Sequence, residues 1–264
     1  MHLSQSLMLR NSTFQYQQVP RVRALVGFIV FIVAAVSADC RAEPVPSFKA
    51  SYAVRYGVLR GEMTLDLRRD GNDGFVYDTM LRPRGFVTLF RKGAIEETST
   101  LAMSEGQLRP LVYSSVDTIA RPQRNTEYRF DEPSGRVTGI YKARTVDEEM
   151  QPGGHNRISV QVAVMEALNE GRELTKFSVF DRARWRDFEF EVIPDRTASV
   201  PYGEFETVEI QYSSSKKEKS WSLHCAPALD YVPVMIVFRE DGKIKSRAEL
   251  VSFTRLDDDA EAAQ

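Results

Sequence analysis

The chain is poor in the residues that most chemistry needs. Among 264 residues there are two cysteines, three histidines and two tryptophans. It holds no G-x-S-x-G elbow, no glycine-rich phosphate loop and no H-E-x-x-H pair, so the readily recognised serine hydrolases, nucleotide binders and zinc proteases are excluded. It also lacks an apolar run of the roughly 20 residues that a membrane-spanning helix requires. Excess positive charge is missing too: the formal net charge is −2. A mildly acidic chain is a poor candidate for nucleic acid or an anionic membrane surface. The cluster Lys216, Lys217 and Lys219 reads as a solvated turn.

The longest uncharged stretch, Ala24 to Ala38, has 15 residues and follows Arg21 and Arg23. Positive charge, a short apolar core and small residues at its end are the pattern of a secretory signal. The sequence predicts a signal peptide over residues 1–42, cleaved after Ala38 or Ala42, and a periplasmic location. Asp39 occupies the place before Cys40 where lipid attachment wants a small residue, which argues against a lipoprotein anchor. Cleavage leaves no stable transmembrane span. Removing residues 1–42 takes away Arg10, Arg21, Arg23, Arg41 and Asp39. That leaves 31 basic and 36 acidic residues, a net of −5. Cleavage after Ala38 would keep Cys40 available to pair with Cys225; cleavage after Ala42 would leave Cys225 alone.

What is present is alternation. Met63, Leu65 and Leu67 alternate with Glu62, Thr64, Asp66 and Arg68, the period of a half-buried strand. Turn residues at Asp70–Gly74, Ser104–Gln107, Glu132–Gly135 and Glu240–Lys243 split such segments into hairpins. One stretch differs: Ile158, Val162, Met165 and Leu168 lie at helical spacing, predicting a helix over 157–169. Asn156 is placed to cap its start and Gly171 to stop it. About a dozen strands and one helix predict a mainly β fold: a large curved antiparallel sheet, half-barrel or barrel-like, with one covering helix. Residues 43–256 are expected to form a single β-rich domain, and 257–264 an acidic, disordered tail.

Several separated features carry a family likeness. Tyr52, Tyr56-Gly57 and Gly61 open the domain. Gly106-Gln107-Leu108-Arg109-Pro110 with Tyr113, then Phe130-Asp131, Ser159, Tyr202-Gly203 and Val208 follow, and Trp221, Leu229, Tyr231 and Pro233-Val234 close it. In this order and spacing the chain resembles the bacterial domain-of-unknown-function family numbered 3108, from about Tyr52 to about Phe253. The family often carries Asp where Asn156 stands here; Asn caps about as well, which marks the position as structural. The resemblance implies a secreted or periplasmic β-rich domain and no reaction.

No catalytic, cofactor-binding or metal-binding residue is assigned. His224 adjoins Cys225, but neighbours on a strand point to opposite faces, so the pair cannot form a dyad: Cys225 should pack inward with Trp221 and Leu223, and His224 face out. Glu189 and Glu191 should be solvated opposite Phe188, Phe190 and Val192. Asp257-Asp258-Asp259 reads as solvated, and His155 as a lone surface residue in a flexible loop. Aromatics on strands, including Phe75, Tyr77, Tyr113, Tyr128, Phe130 and Trp185, should be core, though a sheet this large can enclose a ligand cavity. The expected function is non-catalytic binding of an apolar or lipid-like ligand in the envelope. The alternatives are an envelope-assembly factor docking a protein partner, and an enzyme of unrecognised type.

Overall fold

The computed structural model describes residues 45–71, 74–89, 92–213 and 219–256. The predicted signal segment, Cys40, Lys216, Lys217 and the acidic tail lie outside the described residues. Strands β1 (Phe48–Tyr56), β2 (Leu59–Asp70), β3 (Gly74–Arg84), β4 (Ile95–Ser104) and β5 (Gln107–Asp117) are followed by β6 (Arg124–Asp131), β7 (Arg136–Tyr141) and β8 (Arg144–Glu149). Then come β9 (His155–Asn156), helix α1 (Ser159–Asn169), β10 (Lys176–Phe180), β11 (Trp185–Val200), β12 (Gly203–Ser213), β13 (Lys219–Ala226), β14 (Val232–Glu240) and β15 (Lys243–Arg255). Fifteen strands therefore stand among the described residues, where about a dozen were expected.

All fifteen join one curved sheet in the order β8-β7-β6-β5-β4-β3-β2-β1-β15-β14-β13-β12-β11-β10-β9. Every ladder is antiparallel except the short β9–β10 pair, which is parallel and connected through α1. The β-rich fold with one covering helix is thus as the alternation predicted. First and last strands meet at the middle: Phe48 pairs with Arg255 and Tyr56 with Ser246. The Leu256 N–H also donates to the Ser47 carbonyl at 2.9 Å.

The ends of the sheet approach each other through side chains. Trp185 Nε1 on β11 donates to the Glu149 carbonyl of β8 at 2.8 Å, and the Ala183 N–H donates to the Tyr128 hydroxyl at 3.0 Å. Phe130 and Trp185 meet edge to face, ring centroids 6.5 Å apart. Trp185 packs so closely on Gly154 that any side chain there would collide with the indole. The sheet is rolled, and among the described residues its edge strands are not joined by a backbone ladder.

The inner face is the core. Leu65 and Leu67 of β2, Phe75 and Tyr77 of β3, and Phe48, Ala50 and Tyr52 of β1 are all at most 2% exposed. The outer face carries the complementary polar positions, such as Asp78, which receives Arg68 at 2.6 Å and the Thr98 hydroxyl at 2.6 Å. Such cross-strand pairs add a few tenths of a kcal/mol each, about 0.2–1.

Helix α1 lies on the inner face. Ile158, Val162 and Met165 join the main core; Val164 and Ala167 join a second cluster with Leu174, Ile210, Leu223 and Cys225. Asn156 Oδ1 accepts the N–H groups of Ile158 at 3.1 Å and Ser159 at 2.8 Å, satisfying donors that a helix start leaves open. At the other end the Arg172 N–H bonds the Ala167 carbonyl at 2.8 Å with Gly171 at φ +65°, a left-handed stop suited to glycine.

Candidate functional site

The inner face is not wholly apolar. Glu97 and Ser99 occupy inward positions of β4, 7% and 0% exposed. Each has a partner. Tyr113 donates its hydroxyl to Glu97 at 2.5 Å, and Arg157 Nε lies 3.2 Å from the same oxygen. Ser99 accepts from Asn156 Nδ2 at 2.8 Å, and the Tyr77 hydroxyl donates to Gln161 at 2.9 Å. This polar row anchors α1 to β3–β5, as buried polar groups require partners. Burial pushes the Tyr113 and Tyr77 hydroxyls well above the usual phenol range, with Glu97 adding to both.

Arg157 differs from its neighbours. Asn156 and Ile158 are 0% and 2% exposed, whereas the Arg157 side chain is 51% exposed. It lines a polar cavity of about 370 Å³ built from the ends of β5, β6 and β7 and the turn between β10 and β11. Arg124, Lys142 and Arg182 share this cavity with it, as do Asp117 and Asp181. The β10–β11 turn that supplies Asp181 and Arg182 is held tight by an Asp181 N–H bond to the Arg184 carbonyl at 3.0 Å.

A second cavity, also about 370 Å³, is lined mainly by apolar groups, Val54, Tyr56, Leu59, Leu81, Pro83 and Ile119 among them, with Arg60 and Arg82 at its wall. Register places both at one end of the sheet. Gly61 pairs with Pro83, Leu81 with Ile95, Ile95 with Asp117, and Asp117 with Arg124. The loop after β5 links them: Ile119 lines the apolar cavity, and its N–H donates at 3.0 Å to Asp117, which lines the polar one. Around the inner face runs a row of half-buried rings: Phe177, Phe190, Tyr212, Trp221 and Phe238, with successive centroids 5.0–5.4 Å apart.

The residues weighed from sequence fall elsewhere. Glu189 and Glu191 are exposed on β11 while Phe188 and Phe190 are half-buried, as alternation required; Val192 is 41% exposed, against expectation. Cys225 is 0% exposed, and burial pushes its thiol above the usual range. His224 does lie on the opposite face, paired with Glu209, but is only 9% exposed. It sits in a polar cluster in which Arg239 donates to Ser222 at 2.8 Å and Arg196 lies 3.6 Å from Glu209. No hydrogen bond joins His224 to Ser222 among the described residues. Burial lowers the His224 pKa.

His155 is a correction. It is 1% exposed, part of β9, and edge-on to Phe177 at 5.3 Å. Burial, reinforced by Arg109 and Arg172, lowers its pKa to about 3; it is a neutral core residue. Among the described residues no group of three or more His, Cys, Asp or Glu could hold a metal ion, and no helix is long and apolar enough to cross a membrane. Lys219 pairs with Glu240 at 3.1 Å. Arg157 and its companions were not singled out by sequence reasoning, because they come from five separate segments with no shared motif.

Comparison with known proteins agrees with this architecture. No curated protein matches the chain. A beta-barrel-like protein of domain of unknown function DUF1849 from Brucella abortus, known from a crystal structure, is similar in fold: TM-score 0.52, 11% identity, covering 81% of this chain and 99% of that one. A family model described as protein of unknown function (DUF3108) matches residues 47–248. The family likeness seen in the scattered tyrosines, glycines and late prolines is therefore real, and the chain belongs to the DUF3108 family.

Proposed function

We propose that this is an exported envelope protein that binds an apolar or lipid-like ligand without transforming it. The observation that carries the reading is the pairing, at one end of the rolled sheet, of an apolar cavity with a polar one. Each has the volume of an ordinary small-molecule site. An amphipathic molecule fits such a pair better than a wholly polar or wholly apolar one does. The groups with perturbed ionisation facing the polar cavity, Tyr113, Tyr128 and Arg157, have pKa values raised further from neutrality, which supports binding over acid–base catalysis. Export rests on the basic residues and short apolar run before Cys40.

The alternative, docking of a protein along a free sheet edge, is weaker. Edge strand β8 presents Arg144, Asp147, Glu148 and Glu149, and charge on an edge discourages strand addition.

Native mass spectrometry of protein recovered from the bacterial periplasm should show a bound amphiphile, or uptake of a neutral apolar dye. Ile119→Asp, which puts a charge into the apolar cavity, should abolish uptake. A domain that takes up neither lipid nor dye sinks the reading. N-terminal sequencing of the same material should find Asp39 or Glu43 first; a retained residue 1–38 segment would overturn cleavage.

A further inference from the structure

We propose that the polar cavity is a receptor for an oxyanion headgroup, phosphate or carboxylate, belonging to the ligand whose apolar part occupies the neighbouring cavity. This rests on the ligand-binding reading above and goes further by fixing the chemistry of the ligand's polar end.

The charge balance comes first. Four cations, Arg124, Lys142, Arg157 and Arg182, line the polar cavity against Glu97 behind Arg157 and two carboxylates in the lining itself, a net of one positive charge. Both lining carboxylates have partners already. Asp117 Oδ1 accepts the N–H groups of Ile119 at 3.0 Å and Ala120 at 2.9 Å. Asp181 lies 3.7 Å from Arg182 Nε. Among the described residues, Arg124 and Lys142 have no ion pair; Lys142 rests over the Tyr141 ring at 5.2 Å. The cavity is therefore cationic in a chain whose formal net charge is −2. A concave site lined by one sign of charge concentrates ions of the other.

Arg157 supplies the geometry. Its Nε is held by Glu97 at 3.2 Å, and Glu97 is itself only 7% exposed and fixed by the Tyr113 hydroxyl. No hydrogen bond engages its terminal Nη groups among the described residues, and its exposure opens on the cavity. A guanidinium anchored by its Nε edge and free at its fork is preorganised to take two oxygens of a phosphate or carboxylate. Ser115 and Thr126 line the same cavity and offer neutral hydroxyl donors.

The adjoining apolar cavity explains why the oxyanion is a headgroup and not a free ion. Asp117 and Ile119, joined by one hydrogen bond, line the polar and the apolar cavity respectively. A molecule with its oxyanion at Arg157 can turn its apolar part past this loop.

The test compares decyl phosphate, decyl phosphocholine and decyl maltoside below their micelle concentrations, with inorganic phosphate alone as a fourth arm, by calorimetry on the mature protein. Decyl phosphate should bind at least about tenfold more tightly than decyl maltoside, and inorganic phosphate far more weakly than decyl phosphate. Arg157→Gln should reduce decyl phosphate binding to about the level the wild type shows for decyl maltoside. Because Arg157→Gln also removes the cationic partner of Glu97 and leaves it only the Tyr113 hydroxyl, the double variant Arg124→Gln/Lys142→Gln, at exposed positions without ion pairs among the described residues, provides a second measure and should weaken decyl phosphate several-fold. Equal affinity for all three amphiphiles overturns the headgroup assignment and leaves the ligand reading standing. Inorganic phosphate binding as tightly as decyl phosphate overturns it in favour of a free ion. Absence of any amphiphile binding removes both readings.

Discussion

Glu166 gives the sharpest test of the core. It is 1% exposed on α1, near the helix C-terminus, where a carboxylate is also disfavoured by the helix dipole. Burial raises its pKa from about 4.5 to about 7, although the Leu108 N–H donates to it at 3.0 Å and Arg172 lies 3.6 Å away; Glu170 adds to the rise. The folded protein thus holds this proton more tightly than the unfolded chain does. The stabilisation is fully present below about pH 4.5 and is lost as pH rises through about 7. A gap of that size corresponds to ~3 kcal/mol. Glu166→Gln keeps an acceptor for the Leu108 N–H and removes the titration. The pull of partly exposed Arg172 is already contained in that gap, because it lowers the same pKa. In urea unfolding, the wild type should lose ~3 kcal/mol more than the variant between pH 4.5 and pH 8, and the variant should be the more stable by ~3 kcal/mol at pH 8. His155 titrates in both proteins and cancels in the difference. Parallel stability curves for the two proteins would refute the assignment of a buried, proton-holding carboxylate.

Other perturbations follow from geometry. Tyr52→Phe removes the buried hydroxyl that donates to the Pro233 carbonyl at 2.8 Å and should cost about 1–2 kcal/mol in thermal unfolding; an unchanged melting temperature would contradict the bond. Gly139 has φ +150° and no room for a Cβ beside the Glu127 carbonyl, so Gly139→Ala should destabilise by more than ~2 kcal/mol. Gly57→Ala, in open space at φ +57°, should cost only about 1 kcal/mol. Cys225 should resist thiol reagents at pH 8 in the folded protein and react on unfolding; rapid labelling of the folded state would show the second core cluster to be open.

How much of this was legible depends on what each residue does. Hairpin turns announce themselves because Glu105-Gly106 and Asp241-Gly242 take positive φ, which the turn itself demands. The helix is legible because its apolar spacing is intact. Strand β4 is not, because the inward positions of its first half are Glu97 and Ser99: the polar row that anchors α1 inverts the alternation by which strands are recognised. Strand β8 has one buried residue, Val146, and no pattern to read. His155 followed Pro152-Gly153-Gly154 and suggested a loop; the close approach of Trp185 to Gly154 turns that segment inward instead. The cationic cavity was invisible because Arg124, Lys142, Arg157 and Arg182 converge only after the sheet has rolled.

The meeting of first and last strands at mid-sheet has a consequence for how the chain could be rewired. Read from β9 through β15 and on from β1 to β8, the strands lie in unbroken sequence order across the sheet. From β10 to β15 and on through β1 to β8 the chain is therefore a circular permutation of a simple meander, with β9 attached by a parallel crossover through α1. Joining Leu256 to Val45 by a short linker, across the gap already bridged by the Leu256–Ser47 hydrogen bond, and opening the chain between Glu149 and His155 would make every sheet neighbour adjacent in sequence. Such a permutant exchanges its longest-range ladder for a local hairpin and should fold faster than the natural order. It would also separate the speed of folding from the shape that is finally reached.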